Sequence, residues 1–132
     1  MESIRTDFDP GHASDTVVYS SGEVDKKPYF KSKPFFSKEG YDLLIDFVYS
    51  RTSKERMRSI LNEDFWGITK YSFIVEQDGS LSEIRVERNL YGPWDRMGLD
   101  GLVKSSGLWK PATKNGEKVR CKVYFNFKRQ IR

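Results

Sequence analysis

The sequence predicts an α+β fold, a two-layer sandwich in which helices cover one face of a three-stranded mixed sheet. Three observations predict it: a strand-turn-strand stretch at residues 71–86, two stretches of helical spacing ahead of it, and a long alternating strand at residues 117–130. In the first of these, YSFIVEQDGSLSEIRV, Tyr71, Phe73 and Val75 share one face while Lys70, Ser72 and Glu76 fill the other. Ile84 and Val86 then oppose Glu83, Arg85 and Glu87, the period of two that marks a half-buried strand. Asp78-Gly79 suits the turn between them, because Gly takes a positive φ without a Cβ clash and Asp hydrogen-bonds its own backbone.

Residues 1–27 read as a flexible acidic lead-in, rich in Asp, Ser, Gly and Glu and without a sustained period. Within it, Thr16-Val17-Val18-Tyr19 has the character of a short strand laid on a sheet edge. His12, the single histidine, has no second His or nearby Cys, so a solvated tail residue is a simpler reading than a metal ligand. Residues 28–132 are expected as a single domain with a modest core. At its start, KPYFKSKP alternates aromatic and basic residues, the texture of a single-stranded nucleic-acid platform. Its two prolines favour instead an extended connector whose Tyr29, Phe30, Phe35 and Phe36 cover the core.

Ser37 opens a helix running to about Ser50, with Tyr41, Leu44, Ile45 and Val48 on one face. Thr52-Ser53-Lys54-Glu55 has capping-box form and starts a second helix with Met57, Ile60 and Leu61 inward. Phe65 and Trp66 are expected to roof the core before Gly67 stops the segment. Beyond the hairpin, residues 94–103 predict a short helix weakened by Gly98 and Gly101 and held by Met97, Leu99, Leu102 and Val103. Leu108-Trp109-Lys110-Pro111-Ala112 then runs extended into the turn at Lys114-Asn115-Gly116. In the closing strand Val119, Cys121, Val123, Phe125 and Phe127 face one way; Arg120, Lys122, Tyr124, Asn126 and Lys128 face the other. A right-handed crossover leaves the second and last strands parallel and gives the order 2-1-3, with the last strand at an edge.

Composition narrows the function less than pattern does. Residues 1–25 carry six acids against Arg5 alone, whereas the remaining 107 carry 22 Lys/Arg against 13 Asp/Glu, so the folded part is basic. Such a face suits nucleic acid, anionic surfaces or acidic peptides alike. A single cysteine, Cys121, excludes an intrachain disulfide, and its place in the apolar row makes it a packed thiol rather than a nucleophile. No run approaches a membrane span. The acids Asp78, Glu83, Asp95 and Asp100 fall in turns or exposed positions, and no catalytic group, cofactor or metal site is expected.

The residues also resemble a known family, the carboxy-terminal domain of TonB and its relatives, most closely the variety of Bacteroidetes-type bacteria. The resemblance rests on Phe73-x-Val75-x-x-Asp78-Gly79-x-Leu81-x-x-Ile84-x-Val86, then Trp109-x-Pro111-Ala112-x-x-Asn115-Gly116-x-x-Val119, then Phe125-Asn126-Phe127. It covers residues 68–128. It implies a periplasmic, non-enzymatic domain that binds a short segment of an outer-membrane receptor, or another periplasmic peptide, by adding it as a strand to the sheet edge. In the family a membrane-anchored motor partner acts through a transmembrane helix and a Pro-rich linker, neither of which is in this sequence. The strand pattern points to the same edge. Val119, Arg120, Lys122, Val123, Tyr124, Asn126 and Lys128 are therefore the expected partner-binding residues, with edge exchange between two copies as a route to a homodimer. The alternative is a basic nucleic-acid-binding module, motivated by the sequence pI of about 9.1 and by KPYFKSKP.

Overall fold

Residues 16–130 are described in a computed structural model of the chain. In chain order they form β1 (Val18–Ser20), β2 (Tyr29–Phe30), β3 (Lys33–Pro34), α1 (Lys38–Ser50), α2 (Lys54–Leu61), β4 (Gly67–Val75), β5 (Leu81–Arg88), α3 (Gly92–Ser105), β6 (Trp109–Lys110), β7 (Ala112–Lys114) and β8 (Glu117–Arg129). His12 lies outside the described residues.

The architecture is α+β, but the sheet is not the three-stranded one expected. Its order is β1-β8-β4-β5, with β7 also pairing β8, and a second sheet has the order β3-β2-β6. β4 runs antiparallel to both β5 and β8. The added member, β1, is parallel to β8 and pairs Val18, Tyr19 and Ser20 with Arg120, Cys121 and Lys122. On their other side Cys121 and Lys122 pair with Val75 and Ile74 of β4, so here β8 is an inner strand. An edge exposes unpaired N–H and C=O groups, and the chain satisfies this part of it with its own amino-terminal stretch. Val18–Ser20, within the expected lead-in, thus form part of the sheet, as the short edge strand expected over residues 16–19. Asp25 and Lys26 donate main-chain N–H groups to the Thr113 carbonyl at 2.9 and 3.2 Å.

Helices α1 and α3 cover one sheet face. Ser37 caps α1, its hydroxyl accepting from Gly40 N–H at 3.1 Å. α2 is capped by Ser53 rather than Thr52, whose hydroxyl instead donates to the Val48 carbonyl. The two glycines that weaken α3 locally are its points of closest approach to the rest of the fold. A Cβ on Gly98 would lie 2.1 Å from the Tyr71 hydroxyl, and one on Gly101 would lie 2.7 Å from a Val48 methyl. Close packing, on the sheet at Gly98 and on α1 at Gly101, thus offsets a cost of about 1 kcal/mol per glycine. Beside it, Trp94 stacks on Phe127 with centroids 4.1 Å apart.

At the far end the small sheet closes the core with aromatic rings. Trp109 lies 5.1 Å from Phe30, 5.0 Å from Phe35 and 5.2 Å from Phe73, and its indole N–H donates to Ser105 Oγ. The proline-flanked KPYFKSKP segment is the β2–β3 hairpin, with Phe30 in the core. Three residues depart from their expected places: Phe36, Trp66 and Val103 are exposed, the latter two at 62% and 55%. Val86 is also exposed: it pairs with the buried Tyr71 and so keeps the inward face, but it lies on the edge strand, and β5 carries two register shifts with Glu83 at φ 48°.

Candidate functional site

Each motif residue has a defined mechanical part. At the β4–β5 turn the Asp78 carboxylate accepts from the Ser80 N–H at 3.0 Å, and Gly79 has φ 87°. A Cβ on Gly79 would fall 2.3 Å from the Trp109 carbonyl oxygen, and Gly107 N–H donates to the Gly79 carbonyl. The turn is thereby held against the segment that carries Trp109, Pro111 and Ala112, the last of which pairs with Val119. Asn115 and Gly116, at φ 53° and 81°, make the tight β7–β8 turn, and Asn115 N–H donates to the Asp25 carboxylate at 2.7 Å.

Of the seven residues expected to bind a partner, three lie where the edge is sealed. Val119 pairs with β7, while Arg120 and Lys122 pair with β1. The Arg120 guanidinium also forms a two-pronged ion pair with Glu76, at 2.8 and 3.1 Å. Burial pushes the Glu76 carboxyl up, but hydrogen bonds from Arg120 and Ser82 outweigh it and hold the group below its ordinary value. Val123 is buried in the apolar row. The remaining three, Tyr124, Asn126 and Lys128, are exposed on the stretch of β8 beyond β1.

Along residues 123–129, β8 is paired with β4 on one side, and among the described residues no strand pairs with the other side. A groove of about 330 Å³ runs beside it, bounded by Phe35, Phe36, Ser37, Lys38 and Tyr41 from the start of α1 and by Tyr124, Asn126 and Lys128 from β8. Ser37 and Tyr41 belong there because the capped first turn of α1 abuts the strand. The Tyr41 hydroxyl donates to the Asn126 carbonyl at 2.5 Å, and the Lys128 main-chain N–H faces the Tyr41 hydroxyl oxygen. Burial raises the Tyr41 phenol above its ordinary value. Tyr41 was legible only as a core-facing helical residue; its contact with the strand needed the tertiary structure.

The opposite edge is built differently. β5 carries both register shifts and a run of exposed charge at Glu83, Arg85, Glu87 and Arg88, features that discourage strand addition. The acids do not converge on a reaction centre. Asp100 pairs with Arg56 at 3.0 Å and Glu83 with Arg85 at 3.4 Å. Asp95, expected in a turn or at an exposed position, stands in the first turn of α3 and is buried. It accepts from Thr69 Oγ1 at 2.5 Å and from the main-chain N–H groups of Leu90 and Tyr91, which ties the start of α3 to β4. Cys121 is buried and its thiol is pushed up to about 11 by that burial. Among the described residues no cluster of His, Cys, Asp or Glu has the makings of a metal site.

No protein-family model matches the sequence, and no curated protein matches it. Among solved structures, the chain is similar to the NMR solution structure of the TonB carboxy-terminal domain of Helicobacter pylori, residues 179–285. The TM-score is 0.45 and the identity 21%, covering 75% of this chain and 89% of that one. A shorter form of the same domain, residues 194–285, gives a TM-score of 0.43 and 22% identity over 66% of this chain and 91% of that one.

Proposed function

We propose that this chain is a non-enzymatic protein-interaction domain of TonB type. It binds an extended peptide, such as a segment of an outer-membrane receptor, by adding it as a strand beside residues 123–129 of β8. The observation that carries this reading is the stretch of β8 that no other strand pairs, lying beside the groove of Phe35, Phe36 and Tyr41. Main-chain bonds supply affinity in such an arrangement, and alternate side chains entering the groove supply choice. The contrast with the bulged, charged β5 edge supports it, as does the resemblance carried by Asp78-Gly79 and Trp109-x-Pro111-Ala112. The periplasm is the compartment that this reading requires. Val119, Arg120 and Lys122 act on the guest only through their neighbours, because β1 and β7 hold their main chain.

The test is amide hydrogen exchange and titration with peptides from the amino-terminal segments of outer-membrane receptors. Main-chain groups alternate in direction along a strand, so Tyr124, Asn126 and Lys128 turn the same way. Binding should protect their amides, and a folded Tyr124→Pro variant, which lacks one edge donor, should lose the peptide. Unchanged affinity in that variant would rule out the edge as the site.

A further inference from the structure

The sheet face turned away from the helices carries an apolar tip with basic residues beside it, at the end where β4 begins. Direct cross-strand partners share a face. Lys70 is opposite Arg88 on one side and Asn126 on the other, and Ile68 is opposite Lys128, so all five project from this outer face. Trp66 and Ile68 border one concavity with Arg88 and Leu90. Trp66 is 62% exposed and Ile68 43%, an unusual position for two large apolar residues side by side. Among the described residues, no carboxylate is paired with Lys70, Arg88 or Lys128; Lys70 instead lies 4.8 Å from the Tyr124 ring centroid.

We infer that this face docks on an anionic lipid bilayer, with Trp66 and Ile68 entering the headgroup layer and Lys70, Arg88 and Lys128 over the lipid phosphates. Indoles favour the bilayer interface, where an apolar ring body meets polar headgroups, and basic residues near an anionic surface add attraction. A single-stranded nucleic acid fits less well. Ile68 has no flat ring for a base to stack on, whereas a headgroup layer accepts an aliphatic side chain beside an indole. Lys128 borders both this face and the groove beside α1, whereas Trp66, Ile68, Lys70 and Arg88 lie outside that groove.

The protein's own tryptophans report the event. Trp94 and Trp109 are buried at 0% and 3% exposure, so Trp66 is the one indole whose emission a bilayer alters. The full chain is mixed with phosphatidylcholine vesicles, with or without phosphatidylglycerol, and followed by co-sedimentation and fluorescence. Expected are a blue shift and sedimentation with the anionic vesicles alone, both fading as salt is added. Trp66→Ala should weaken binding about tenfold, since it removes an interfacial anchor. The triple variant Lys70→Glu, Arg88→Glu, Lys128→Glu should weaken it about a hundredfold or more, at about fivefold per basic residue. All four side chains are exposed, and circular dichroism verifies that the variants fold. The inference is overturned if anionic vesicles do not bind at low salt, or if these variants bind as well as the parent. It is also overturned if a single-stranded oligonucleotide displaces the vesicles and needs the same residues.

Discussion

The hydroxyl of Tyr41 donates to the main-chain carbonyl of Asn126 across 2.5 Å, so a side chain of α1 occupies an acceptor on the stretch of β8 that no strand pairs. A guest strand has to displace it. Tyr41→Phe removes the donor and keeps the ring, which lies 5.7 Å from Phe125. One hydrogen bond contributes about 1 kcal/mol net. The variant should therefore lose about that much stability in urea unfolding and gain about fivefold in peptide affinity by titration calorimetry. Affinity and stability falling together would mean that Tyr41 contacts the guest rather than blocking it.

Gly98→Ala raises helix propensity by about 1 kcal/mol, so propensity alone predicts a more stable protein. The structure predicts the reverse. The new methyl would meet the Tyr71 hydroxyl, which is anchored on the Asp95 carbonyl at 2.6 Å, and would lie 2.8 Å from Phe127. Overpacking of this kind costs about 1–3 kcal/mol. A thermal midpoint below that of the parent is the expected result.

Asp95→Ala should destabilise by about 3 kcal/mol in chemical unfolding, because it leaves the buried Thr69 hydroxyl and two main-chain donors without their acceptor. Asp100→Ala, which removes a surface pair with Arg56, should cost less than about 1 kcal/mol. The difference between these two acids of one helix separates a buried cap from a solvated charge.

Glu76 sets a pH dependence. Its folded-state pKa is depressed below the ordinary 4.5, so the stabilisation it contributes is present above that value. The contribution is lost as pH falls through the lower, folded value, where the carboxylate paired with Arg120 takes a proton. Glu76→Gln should be less stable than the parent at neutral pH, and the two stabilities should converge in acid. Urea unfolding across the acid range measures both curves.

Short-range pattern was enough to place the caps, turns and alternations. Ser37, Asp78-Gly79, Asn115-Gly116 and the inward row of β8 each depend on interactions within a few residues, or on burial of every second side chain, and such constraints are written in adjacent letters. The fate of the β8 edge is a different kind of fact. Residues 16–19 are legible as a short edge strand, but nothing local says that Val18–Ser20 reach this edge, from the far end of the chain and in parallel register. Asp95 and Gly98 look like a solvated acid and a weak spot in a helix until β4 is laid against α3, when one becomes a buried acceptor and the other the space for a tyrosine hydroxyl. Trp66 differs from an inward-facing aromatic only through the packing around it. Residue spacing by itself determined which elements form and which side chains each strand turns inward; tertiary contact alone decided which main-chain groups stay open, because hydrogen-bond satisfaction at an edge depends on every segment that can reach it.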